Sequence, residues 1–192
     1  MAKVSLPGLI PPLTVLLCLG CEVSKPARLE FSPVVPVRAE SLQPRPQQSS
    51  LVLLAPLEDK RPDPESLGQV YGRSYNSGEI VTWVEGGLRE MVAQHFAAPP
   101  GQAGARITLR PRILKAYLNS VTVSRIAVLV LECDFVGPDG GSTTQVFRGQ
   151  LQGLVWAAGE DEAKGALLRC RDQCLDQIQG ELSKRLAVKP AS

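Results

Sequence analysis

Apolar positions along this 192-residue chain change their spacing several times, and each change marks an element. Leu51-Val52-Leu53-Leu54-Ala55-Pro56-Leu57 is a continuous apolar run of strand length, followed by a charged turn from Glu58 to Pro64. Residues 65–78 read as a loop, because Gly68, Gly72, Asn76, Ser77 and Gly78 interrupt any period. From Glu79 the period becomes helical. Ile80, Val84, Leu88, Met91, Val92 and Phe96 form one stripe, Ser77 is placed to cap its start, and Pro99-Pro100-Gly101 stops it. Gly86 and Gly87 inside this helix each cost about 1 kcal/mol against alanine. Close backbone packing against the sheet would explain them, and a local kink is the alternative.

Arg106 to Ile113 alternates apolar and polar, as a strand does when one face is buried, and Pro111 argues for an edge or a bulge there. Arg125 to Phe135 is denser. Ile126, Val128 and Val130 lie on one face and Leu129, Leu131, Cys133 and Phe135 on the other, which predicts a central strand covered on both faces. Pro138-Asp139-Gly140-Gly141 signals a hairpin, and Thr143 to Trp156 returns with Phe147, Leu151 and Val155 inward and Gly149 and Gly153 on one face. Asp161 to Leu186 is a long helix with the stripe Ala163, Leu167, Cys170, Cys174, Ile178 and Leu182. The order strand, helix, three strands, helix predicts an α+β fold: a mixed, mostly antiparallel sheet (β-α-β-β-β-α) with two helices packed on it.

The beginning of the chain has another character. Lys3 precedes the apolar run Leu13-Thr14-Val15-Leu16-Leu17-Cys18-Leu19-Gly20, which ends at Cys21 and gives way to polar sequence. A spanning helix needs about 20 apolar residues, and this run is shorter and follows Pro11 and Pro12. A cleaved signal peptide fits better. The arrangement resembles the lipobox of bacterial lipoproteins, although Cys18 stands where that family usually has Leu. The resemblance implies cleavage before Cys21 and lipid on its thiol. Each buried CH₂ adds about 0.8 kcal/mol, so several acyl chains would hold the chain on a membrane almost permanently.

From Glu22 to Ser50, Pro26, Pro33, Pro36, Pro44 and Pro46 remove backbone donors and favour an extended tether of about 3.1 Å per residue. Within it, Leu29-Glu30-Phe31-Ser32-Pro33-Val34-Val35-Pro36-Val37 alternates enough to dock as an edge strand. The predicted organisation is residues 1–20 as signal peptide, 21–50 as lipidated cysteine and tether, 51–188 as a single domain and 189–192 as a tail.

Composition adds mainly exclusions. Hydrophobic residues make up 44% and charged residues 21%, ordinary for a globular chain, and the net charge of +2 comes from scattered basic residues. That distribution, with 5% aromatics, gives no footprint for nucleic acid. His95, the single histidine, reads as a helix C-terminal residue favourably placed on the dipole rather than a ligand or base. No nucleophile elbow is present, and the glycines from 137 to 141 precede no helix, so they form a turn rather than a phosphate loop. The expectation is no enzyme, no metal and no cofactor.

Cys133, Cys170 and Cys174 would face an oxidising compartment. Cys170 and Cys174, four apart on a helix, have Cβ atoms about 5 to 6 Å apart, whereas a disulfide needs about 3.8 Å. They should not pair with each other. Cys133 on a strand facing that helix leaves two arrangements open: a bridge to Cys170 or Cys174, or three buried thiols acting as small apolar groups.

Taken together, Cys21, the segment Leu29 to Val37, the strand with Asp59-Lys60-Arg61, the amphipathic helix, the hairpin strands and the final helix resemble the YajG-like envelope lipoproteins over nearly the whole mature chain. The resemblance implies an envelope lipoprotein at the outer membrane facing the periplasm, of poorly defined biochemical role. The leading reading of its role is a non-catalytic binding or assembly module that uses its sheet edge or the Asp59 loop to contact another envelope protein. Asp59, Lys60 and Arg61 are either an ordinary polar loop or, as a family-matching segment, the partner contact. A more distant likeness to the auxiliary lipoproteins of ABC lipid transporters implies an accessory role in lipid transport as the alternative.

Overall fold

The computed structural model describes residues 27–31, 50–76, 79–98, 106–121, 124–154 and 159–187. The signal run, Cys21, tether residues 32–49, Ser77, Pro99 to Gly101, Val155 and the tail lie outside the described residues. The architecture is α+β: two helices pack on an eight-stranded mixed, largely antiparallel sheet. In chain order the elements are β1 (Ala27–Arg28), β2 (Val52–Leu54), β3 (Glu58–Asp59), β4 (Ser66–Val70), β5 (Arg73–Asn76), α1 (Ile80–His95), β6 (Ile107–Val121), β7 (Ser124–Val136), β8 (Ser142–Leu154) and α2 (Glu160–Ala187).

Strand β6 is the spine. Along one edge it pairs in parallel with β2, then β3, then β4, and along the other it pairs antiparallel with β7, which pairs with β8. It runs beyond the predicted Ile113 because a register shift at Leu114 reverses its alternation: Leu109, Pro111 and Ile113 face inward before the shift, Ala116 and Leu118 after it. A bulge moves every later side chain to the opposite face, so one continuous strand has a broken period in sequence. Pro111 sits beside this bulge, on the edge where β2 has ended at Leu109 and β3 begins at Arg112, so its missing N–H meets a gap.

Residues 65–78, read as a loop, contain the hairpin β4–β5 instead. Its turn is Tyr71-Gly72, both at positive φ (50° and 75°), the geometry of a two-residue hairpin loop. Gly68 (φ 84°) marks an irregularity where a Cβ would lie 2.4 Å from the Leu118 carbonyl oxygen, so this glycine lets β4 cross close to β6. The glycines that look like breakers are a turn and a close approach.

Helix α1 buries the predicted stripe, including Ile80, Val84, Leu88 and Met91. Gly87 is a close-packing glycine as expected, but its neighbours are Leu175 and Arg171 of α2 rather than the sheet. Helix α2 buries Ala163, Leu167, Cys170, Cys174, Ile178 and Leu182 against Ala127, Leu129, Leu131, Cys133 and Phe135 of β7. Within the span read as tether, Ala27, Leu29 and Phe31 are buried, β1 pairs with β5, and Phe31 stacks on Trp83 at 4.5 Å between ring centroids. The docked piece begins before the Leu29 to Val37 segment expected to form an edge strand.

Helix–sheet spacing is set at Gly149. A Cβ there would lie 1.9 Å from the Cys170 carbonyl oxygen and 2.5 Å from its carbon. At Gly153, on the same face, nothing lies within 4 Å. Gly149→Ala therefore pushes α2 off the sheet and destabilises the domain by about 3 kcal/mol, whereas Gly153→Ala stays within about 0.5 kcal/mol. Urea unfolding followed by circular dichroism measures both.

Candidate interaction surfaces

Asp59, Lys60 and Arg61 do not share one surface. Strand β3 holds Asp59 beside Ile113, and the Lys60 N–H donates to the Ile113 carbonyl. Arg61 is only 7% exposed. Its Nε donates to Asp59 at 2.9 and 3.2 Å, its Nη2 to Asp59 at 2.8 Å and to the Pro64 carbonyl, and its Nη1 to the Ser66 carbonyl at 3.3 Å. The guanidinium thus ties the end of β3 to the start of β4. Burial works to raise the Asp59 carboxyl, but hydrogen bonds from the Arg61 side chain and backbone outweigh it and leave its pKa lowered. Lys60 alone projects, paired with Glu58 at 3.0 Å.

The larger candidate surface is the sheet face opposite the helices. There the even-numbered side chains of β7 and β8 project, and the prediction that both faces of β7 would be covered needs correction. Ile126 and Val130 are half-buried, and Val128 is buried between its cross-strand neighbours Tyr117 and Gln150. Farther along, Arg112 is clamped between Glu132 (2.7 Å) and Asp134, Thr144 donates to Asp134 at 2.7 Å, and Glu58 lies 4.0 Å from Arg112. The hydrogen bond from Thr144 is the largest influence on Asp134, opposed by burial and supported by Arg112, and its pKa is lowered. Arg112 is raised by its bonds to Glu132 and Asp134. Asp134 and Arg112 keep their charges, so the arrangement presents fixed charge on this face. Leu53 (58% exposed) and Val146 (57%) add apolar patches to the same face. Sequence reasoning missed Arg112, Glu132, Asp134 and Thr144, although the hairpin at 138–141 already implies that Thr144 opposes Asp134.

Elsewhere, His95 ends α1 exposed, edge-on to Phe96 at 6.5 Å. An open cavity of about 620 Å³ between the β7–β8 hairpin and the end of α2 is bordered by Arg106, Phe135, Asp139 and Arg185. Among the described residues no group of three or more His, Cys, Asp or Glu is arranged to hold a metal ion, and no helix is long and apolar enough to cross a membrane.

Cys133, Cys170 and Cys174 are free, buried thiols at the helix–sheet boundary, with no Cys133 bridge in the structure. Cys170 Sγ donates to the Ala127 carbonyl (3.4 Å) and Cys174 Sγ to that of Leu129 (3.6 Å). Burial pushes the three thiols up to about 12, 11 and 12 respectively.

No family model matches this chain, and no curated protein matches it. Among solved structures it is similar to a Xanthomonas campestris protein of the DUF330 family, at 15% identity and a TM-score of 0.43 over 72% of this chain and 84% of that one. It is also similar to a minor lipoprotein of Acinetobacter baumannii, at 13% identity and a TM-score of 0.42 over 74% of this chain and 98% of that one. At such distances the functional reading rests on the chain's own residues.

Two outcomes test these sites. Asp59→Asn leaves Arg61 buried without its charge partner and costs about 3 kcal/mol at neutral pH. Because the folded pKa of Asp59 is lowered, the ion pair stabilises fully above 3.8, the ordinary value, and loses its effect as pH falls through the folded pKa. The stability gap between wild type and variant, read from urea midpoints, should therefore close in acid. In the native protein at pH 8 the three buried thiols resist iodoacetamide, and all three react once urea unfolds the domain; recovery of only one would demonstrate a bridge.

Proposed function

We propose that this chain is an envelope lipoprotein, held by acyl groups on Cys21 to the periplasmic side of the outer membrane, whose folded part is a non-catalytic binding and assembly module of the YajG-like kind. The observation that carries the anchoring is the apolar run closed by Gly20 and Cys21, too short to span a bilayer. The binding role is supported by the half-exposed sheet face, where Leu53 and Val146 flank an ionised cluster centred on Arg112. Fixed charge beside apolar surface steers encounter and selects among partners without any chemical step. With Ala27, Leu29 and Phe31 packed on the domain, only residues 22–26 separate Cys21 from the folded part, so the anchor would hold the domain close to the membrane surface.

Cys21→Ser removes the acyl acceptor. In cells fed radiolabelled palmitate, wild type is labelled and sediments with membranes, whereas the variant carries no label and is released by osmotic shock; a wild-type chain that is unlabelled and soluble overturns the anchoring. For the binding role, a photo-crosslinking residue at Leu53 captures another envelope protein in intact cells and one at Tyr71, at the β4–β5 turn, does not. Equal capture at both positions counts against the sheet face.

A further inference from the structure

Strand β8 ends the sheet on its side, so its even-numbered residues turn their backbone N–H and C=O groups away from β7. Helix α2 closes part of this edge. The Gln150 N–H donates to Gln173 Oε1 at 2.9 Å, and Gln177 Nε2 donates to the Arg148 carbonyl at 3.0 Å. Toward Ser142 the rim lies beside a groove of about 450 Å³ between β8 and α2, bordered by Gln145, Val146, Asp176, Gly180 and Lys184. Val146, at the rim with its side chain on the open face, is 57% exposed, and Gln145 Oε1 is buried without a hydrogen-bond partner. A Cβ on Gly180 would meet nothing within 4 Å, which leaves room beside the strand. An open strand edge is a template for another strand.

We propose that a second copy of this chain pairs here, β8 against β8, antiparallel about a two-fold axis through Val146. The charges of the groove favour this occupant. With Val146 opposite its own symmetry mate, Thr144 faces Arg148 of the partner subunit, and the run from Ser142 to Phe147 brings no charge of its own. Because Gln177 lies over Arg148, Gly180 falls near the axis and Asp176 comes opposite Lys184 of the partner subunit, twice. Glu181 also borders the groove, but it is paired with Arg185 at 2.8 Å and lies 4.0 Å from Lys184; Asp176 on one side of the axis and Lys184 on the other are the pair that a two-fold rotation makes complementary. Association continues the sheet from one copy into the next. Gln173 and Gln177 then act as guards that cap the edge in the monomer, since their two backbone partners lie in the stretch that the incoming strand pairs with.

The inference names a partner for the assembly reading and is independent of anchoring. The test is Val146→Cys in the full chain, expressed in intact cells and run without reductant. Facing backbone positions in such a pair are about 5.5 Å apart at Cα, within disulfide reach. A product of twice the monomer mass is expected from Val146→Cys and not from Gln152→Cys, whose symmetry mate is distant. A crosslinked product of any other mass, or dimer in equal yield from both positions, overturns the proposal. Sedimentation of the purified full chain supplies the second arm: Asp176→Lys and Lys184→Asp each weaken dimerisation about tenfold, and the double exchange restores it. Failure of the double exchange to restore overturns the two-fold arrangement even if each single variant is well folded. A dimer formed equally well by Cys21→Ser separates this result from the fate of the lipid.

Discussion

The contact between the backbone of α2 at Cys170 and the backbone of β8 at Gly149 governs much of what the domain can present. Only a residue without a side chain allows the helix to settle this close. At that distance the thiols of Cys170 and Cys174 reach the carbonyls of Ala127 and Leu129, and Gln173 and Gln177 reach the rim of β8. The same placement lays Arg171 over Trp83, 4.6 Å from the ring centroid, while Phe31 stacks on that ring. One close approach is thus linked through packing to the docking of the N-terminal segment.

The sheet has two faces of different character because β6 carries two kinds of neighbour. Three short strands meet one edge end to end, and β7 and β8 extend the other as long antiparallel partners. The helices take one face for the core. On the opposite face the same three long strands carry Arg112, Glu132, Asp134 and Thr144 in mutual contact, with apolar side chains around them. Neighbouring strands bring charges together at a spacing that side chains bridge directly.

Arginines are used in different ways. Arg61 is consumed by the loop it closes, with Asp59 and two carbonyls as its partners, so a charged motif that reads as a surface serves mainly to hold β3 near β4. Arg185 lies over Phe135, 4.3 Å from the ring centroid, and pairs with Glu181 at the end of α2. Arg112 remains on the sheet face, compensated yet half-exposed. Asp59 and Arg61 are thus folded into the loop they close, while the open face and the edge of β8 stay accessible.

Periodicity determined the two helices, the central place of β7 and the α+β class, because helical and strand spacings persist over ten or more residues there and each buries a continuous stripe, and the turn residues Pro138 to Gly141 determined the hairpin. It could not disclose the β4–β5 hairpin or the full length of β6. In both, residues in special geometry, Tyr71 and Gly72 in the turn and Leu114 in the bulge, interrupt the period. The inward placement of Asp59 and Arg61, the cluster around Arg112 and the capped edge of β8 were decided by tertiary structure. Each depends on which residues strand pairing and helix packing bring within a few ångströms, a property of register and distance that no local pattern of polar and apolar residues encodes.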